Sequence, residues 1–132
     1  MAYGHDLSAM LKAITPSTRI VWVANPNNPT GTLASSDDVR FLVDKVPSDV
    51  LLVMDEAYYE FARDSQGYPD SMSYRYDNVI TLRTFSKAYG LAGARIGYGF
   101  AHESLIKNLM KVKVPFEPSL VAQAAGIAAL DD

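Results

Sequence analysis

Seven side chains in this 132-residue sequence are of types that form a reactive site when gathered: Asn28, Asp55, Tyr58, Thr84, Ser86, Lys87 and Arg95. Thr84, Ser86 and Arg95, with Gly90 and Gly93 between them, are a phosphate-binding set, because hydroxyls and a guanidinium fork offer several donors to one anion. Asp55 closes an apolar run, where a carboxylate is costly to bury unless it meets a cation. A lysine beside such a set is either one more phosphate ligand or an amine nucleophile that forms an imine. Pyridoxal phosphate would use every one of these groups: a lysine for its aldehyde, an acid for its ring nitrogen and a cradle for its phosphate. No metal site is expected, and without cysteine no thiolate ligand or disulfide can exist.

The elements that must position these residues are read from hydrophobic patterning. Residues 19–24 (RIVWVA), 50–54 (VLLVM) and 78–82 (NVITL) are continuous apolar runs, as expected of strands covered on both faces in a parallel sheet. A fourth run, 95–101 (RIGYGFA), is weakened as a strand by its two glycines. Between the first two runs, Val39, Leu42, Val43 and Val46 form one helical stripe. Ser35 or Ser36 can cap that helix, acids occupy its first turn and Pro47 follows it. Further helices are expected over 7–14, 103–112 and 118–130, and residues 63–77 read as a surface loop. The fold class is α/β, a three-layer, mostly parallel sheet with flanking helices, in one domain over residues 1–132.

Each buried run leads straight into a polar cluster: 25–31 (NPNNPTG), 55–59 (DEAYY) and 84–87 (TFSK). In open α/β sheets, ligands bind beyond the carboxyl ends of the strands. Three clusters on one sheet edge imply one shared site. Singly, each has a plainer reading. Residues 25–31 could be only a turn, Asp55 a helix cap, Lys87 a solvated charge and Tyr58-Tyr59 packing residues.

Bulk properties narrow the class. A net charge of -3 with interspersed signs argues against a nucleic-acid partner, which would need a clustered basic face. The apolar runs are far shorter than a membrane span. Residues 1–10 lack the basic and apolar regions of a signal peptide, so a cytoplasmic location is expected.

The strings NPNNPTGT, DEAYYEF and RTFSKAYGLAGARIGY resemble the fold-type I pyridoxal-phosphate aminotransferases, and the resemblance runs over nearly the whole chain. It implies that Lys87 forms the Schiff base with the cofactor and then shuttles the substrate proton. It implies that Asp55 pairs with the protonated pyridine nitrogen, and that Asn28 and Tyr58 donate to the phenolate oxygen. Thr84, Ser86 and Arg95 would hold the phosphate. The implied reaction exchanges an amino group between glutamate and an imidazole-bearing keto phosphate, in histidine biosynthesis. Siblings with the same apparatus, an aromatic-amino-acid aminotransferase or a phosphothreonine decarboxylase, are the alternatives, as is a non-catalytic fragment. Members of the family are homodimers more than twice this length. The implied flanks would supply a ring-stacking residue, a tyrosine from the partner subunit and a substrate-binding arginine. Residues 115–118 (PFEP) depart from the family pattern, in which an asparagine often follows the aromatic.

Overall fold

A computed structural model of the chain describes residues 3–74 and 76–132. Four strands, β1 (Ile20–Ala24), β2 (Leu51–Asp55), β3 (Val79–Thr84) and β4 (Gly97–Ala101), form one sheet in the order β1-β2-β3-β4. The first three are parallel, with Ala24 beside Asp55 and Asp55 beside Leu82. Their carboxyl ends therefore share one edge. β4 runs antiparallel to β3, Thr84 pairing with Gly97.

The helices are α1 (Leu7–Lys12), α2 (Ser36–Lys45), α3 (Tyr59–Ala62), α4 (Glu103–Met110) and α5 (Leu120–Leu130). Helix α2 starts where a capping box forms: the Ser35 hydroxyl accepts from the Asp38 N–H, and the Asp38 carboxylate accepts from the Ser35 N–H. Its apolar stripe packs Val39, Leu42 and Val43 onto Val23, Leu52, Met54 and Val79 of the sheet, and Leu7 of α1 closes the same core. Burying side chains of this size contributes about 1.5–3 kcal/mol each. This cluster fixes the sheet edge on which the polar residues stand.

Four expectations change. Strands β2 and β3 are covered as expected, but on β1 Ile20 and Trp22 are more than half exposed, so one face of that strand lies open. The glycines of 95–101 do not weaken the strand. A Cβ on Gly97 would lie 2.8 Å from the Arg83 carbonyl oxygen, and one on Gly99 would lie 2.9 Å from Leu82, so bare backbone is what lets β4 approach β3. Residues 63–77 are not wholly a surface loop, because Pro69 and Ser71 are buried and Ser71–Ser73 forms a 3₁₀ turn. Finally, the helices expected over 7–14, 103–112 and 118–130 are shorter, the last because its cap is Ser119, whose hydroxyl accepts from the Ala122 N–H.

Candidate active site

The first polar cluster is a closed loop rather than a bare turn. Asn25 is buried, and its side chain bridges to Ala34 twice, accepting from the N–H at 2.9 Å and donating to the carbonyl at 3.2 Å. The Asn25 N–H continues the sheet by donating to the Asp55 carbonyl at 2.9 Å. From the far side the Tyr68 hydroxyl donates to the Asn25 carbonyl at 2.6 Å. Burial, and then the charge of Glu56, push the Tyr68 phenol up, so it stays a donor. Within the loop, Gly31 takes a positive φ of 68° and its N–H donates to the Asn27 carbonyl. The result presents Asn28, exposed, at the sheet edge.

Asp55 is the last residue of β2 and is half-buried. Its Oδ1 accepts from the Ala57 N–H at 3.2 Å and its Oδ2 from the Trp22 indole at 3.1 Å. It is not a helix cap. Tyr58 holds the N-cap position of α3 instead, with no capping hydrogen bond from its side chain. The Tyr58 hydroxyl lies 3.5 Å from Asn28 Nδ2, and the Lys87 ammonium lies 5.3 Å from the centre of the Tyr58 ring. Asn28 and Lys87, from two different strand ends, thus both approach the tyrosine that follows a third.

Lys87 is exposed in a turn that follows β3. The Gly90 N–H donates to the Lys87 carbonyl, with Gly90 at a φ of 67°, and the Leu91 N–H returns to the Phe85 carbonyl. Phe85 is buried against Tyr89 and Tyr98, which anchors the turn beneath the lysine. The Thr84 hydroxyl oxygen accepts the Ser86 N–H at 3.1 Å, leaving its own proton free to donate. Arg95 is drawn onto its own turn, donating from Nη1 to the Ala92 carbonyl at 2.8 Å. Its backbone is left-handed, with φ 53° and ψ 50°, a conformation uncommon outside glycine.

The residues read from the sequence are therefore placed in three groups: Asn28 and Lys87 each near Tyr58, Asp55 at the end of β2, and Thr84 and Ser86 in one turn. Arg95 stands one 3₁₀ turn further on, its guanidinium engaged locally. A cleft of about 390 Å³ opens next to them, with Asn28, Pro29, Leu33, Tyr58 and Phe61 in its wall. Lys87 and Asp55 do not line it, so the candidate reactive surface is the open sheet edge beside that cleft.

Three participants escaped the sequence reading. Asn25 and Trp22 were absorbed into a turn and an apolar run. The third is a buried ion pair: Arg83 Nε and Nη2 both lie 2.8 Å from Glu56 Oε2, with Glu56 fully buried and Arg83 nearly so. The Arg83 guanidinium also sits 3.3 Å above the Tyr59 ring. Burial pushes the Glu56 carboxyl up, against the downward pull of Arg83. Side chains alternate across a strand, so Glu56 and Arg83 face away from the site while their neighbours Asp55 and Thr84 belong to it. The pair ties β2 to β3 directly behind two site residues.

Three parallel strands of a mixed α/β sheet deliver a lysine, a carboxylate, an asparagine–tyrosine pair and a hydroxyl turn to one edge, the place where domains of the open-sheet type bind ligands. The sequence profile of aminotransferase class I and II matches residues 2–132, and the chain belongs to that family. It is 55% identical over 130 residues to a histidinol-phosphate aminotransferase of Geobacillus sp. (strain WCH70), covering 97% of this chain and 35% of that protein. It is 54% identical to histidinol-phosphate aminotransferase 2 of Ralstonia nicotianae, over 98% of this chain and 35% of that one. The crystal structure of histidinol-phosphate aminotransferase from Sinorhizobium meliloti in complex with pyridoxal-5'-phosphate superposes with a TM-score of 0.90. The two are 42% identical, over 98% of this chain and 35% of that one. The chain thus spans about a third of the length of the relatives it matches.

Proposed function

We propose that the chain is the central segment of the large domain of a pyridoxal-phosphate-dependent transaminase. The observation that carries this is the meeting of Asn28, Tyr58 and Lys87 at the carboxyl ends of β1, β2 and β3. The donor set fits the cofactor. Asp55 spends one lone pair of each oxygen on Ala57 and Trp22, which leaves acceptor capacity for a protonated ring nitrogen. Thr84 retains a hydroxyl proton for a phosphate oxygen. When bound, pyridoxal phosphate supplies an aldehyde to take up an amino group and a ring that accepts electrons.

The remaining work falls to this chain. Lys87 offers the amine that holds the cofactor and carries a proton at the substrate carbon. Tyr58 and Asn28 donate to the oxygen on the ring, and Asp55 keeps the ring nitrogen protonated. Thr84, Ser86 and Arg95 anchor the phosphate, Arg95 exchanging the Ala92 carbonyl for the anion. The substrates that fit the likeness to histidinol-phosphate aminotransferases are glutamate and imidazole acetol phosphate, in histidine biosynthesis. The parent protein would then be a cytoplasmic homodimer acting on small molecules, and among the described residues no helix is long and apolar enough to cross a membrane.

Titration with pyridoxal phosphate tests the reading. A new visible absorbance band is expected in the wild-type chain and is expected to be lost in Lys87→Ala. Identical titrations of the two would overturn it. In the full-length protein, bleaching of the band by glutamate but not by phenylalanine or aspartate would support the histidine-pathway substrate, and indifference to the donor would count against it.

A further inference from the structure

Trp22 is the chain's single tryptophan, and it lies on β1 with 53% of its surface exposed. Within this segment packing alone does not account for the indole, since about half of its surface is left uncovered by the described residues. Its N–H donates to Asp55 Oδ2 at 3.1 Å. The register explains the reach. Trp22 pairs with Val53 and Ala24 with Asp55, and alternation puts all four side chains on one face of the sheet. On the β1 side the residue directly beside Asp55 is Ala24, whose single methyl leaves the way open for an indole leaning along the strand from the diagonal position. An indole nitrogen only donates, and an ionised carboxylate only accepts, so the contact has one direction. The Ala57 N–H holds the other oxygen at 3.2 Å. One donor from β1 and one from the loop after β2 thus grip the carboxylate from two sides.

We infer that Trp22 is a positioning residue whose indole N–H sets the orientation of Asp55 toward the ring nitrogen of the cofactor. The inference rests on the cofactor reading above and adds to it a residue that touches neither cofactor nor substrate. A phenylalanine would fill the same space but could not hold the carboxylate. The role therefore lies in one hydrogen atom rather than in bulk.

A double-mutant cycle on pyridoxal phosphate affinity, with wild type, Trp22→Phe, Asp55→Ala and the double variant, separates the possibilities. Loss of one hydrogen bond to a charged group predicts about tenfold weaker binding in Trp22→Phe. In the Asp55→Ala background the same substitution should change affinity less than about twofold, because the partner is gone. Equal costs in both backgrounds would assign Trp22 to packing and overturn the inference, as would wild-type affinity in Trp22→Phe. Wild-type affinity in Asp55→Ala would instead overturn the cofactor reading itself, and this inference with it. The lone indole N–H resonance gives a second readout without cofactor: it should shift in Asp55→Ala. An unmoved resonance would refute the contact.

Discussion

Cutting the Glu56–Arg83 pair from either side should unfold the chain by unequal amounts, and the inequality can be worked from the geometry. Both nitrogens of the arginine reach the same carboxylate oxygen at 2.8 Å, where neither partner has appreciable access to water. Removing one member of such a pair strands a buried charge, at about 3–5 kcal/mol. In Glu56→Gln the cation left behind keeps its place 3.3 Å above the Tyr59 ring and 5.3 Å from Phe100. A desolvated cation–π contact is worth about 2 kcal/mol, so this variant should sit near the low end, about 3 kcal/mol. Arg83→Met forfeits the pair and the stacking together and should sit near the high end, about 5 kcal/mol. The double variant Glu56→Leu/Arg83→Met should be less destabilised than either single change, because no charge remains to be left unpaired. Urea unfolding measures this directly. With a slope of about 1–3 kcal/mol per molar, the midpoint should fall by roughly 1–3 M for the gentler variant. Losses below 1 kcal/mol in both single variants would refute the claim that the pair clamps β2 to β3. A larger loss in Glu56→Gln than in Arg83→Met would refute the role given to the aromatic rings.

At Arg95, glycine should give a chain more stable than alanine by about 1–2 kcal/mol, because only glycine adopts the left-handed backbone freely. Both variants should bind pyridoxal phosphate more weakly than wild type, and equal thermal stability of the two would contradict the backbone argument. Gly97→Ala should destabilise by about 1–3 kcal/mol, since its Cβ would meet the Arg83 carbonyl oxygen at 2.8 Å, an atom of the backbone that cannot swing aside. A neutral effect on the melting temperature would show that β4 can retreat from β3.

Much of this arrangement could be read from residue types in order. Val23, Leu52, Met54 and Val79 lie in runs rich in Val, Ile and Leu, and strands buried on a helix-covered face look like that. Each run ends in a polar cluster, and parallel strands must bring such ends to one edge. What could not be read depends on which way a strand returns and on pairings between distant positions. The antiparallel direction of β4 is set by the 3₁₀ turn at Ala92–Ala94 and the left-handed Arg95, whose conformation no propensity announces. Glu56 and Arg83 stand far apart in the chain, but a signal was present. Alternation after Asp55 puts Glu56 on the opposite, covered face, where a carboxylate demands a cation, and Arg83 lies within the next strand. Trp22 reads as one more apolar residue in its run, because its use as a donor depends on the small Ala24 beside Asp55 in the register. Ile20 and Trp22 look like core residues, and they are uncovered within this segment, which spans about a third of the length of its relatives.

The central claim is that Lys87 is the amine that takes up pyridoxal phosphate. Incubation with the cofactor, reduction with borohydride and peptide mapping by mass spectrometry put the question to that one atom. The pyridoxyl group is expected on the peptide containing Lys87, and its yield should fall in Asp55→Ala and Tyr58→Phe. Label spread evenly over Lys12, Lys45, Lys107, Lys111 and Lys113, with Lys87 no more modified than they are, would contradict the account.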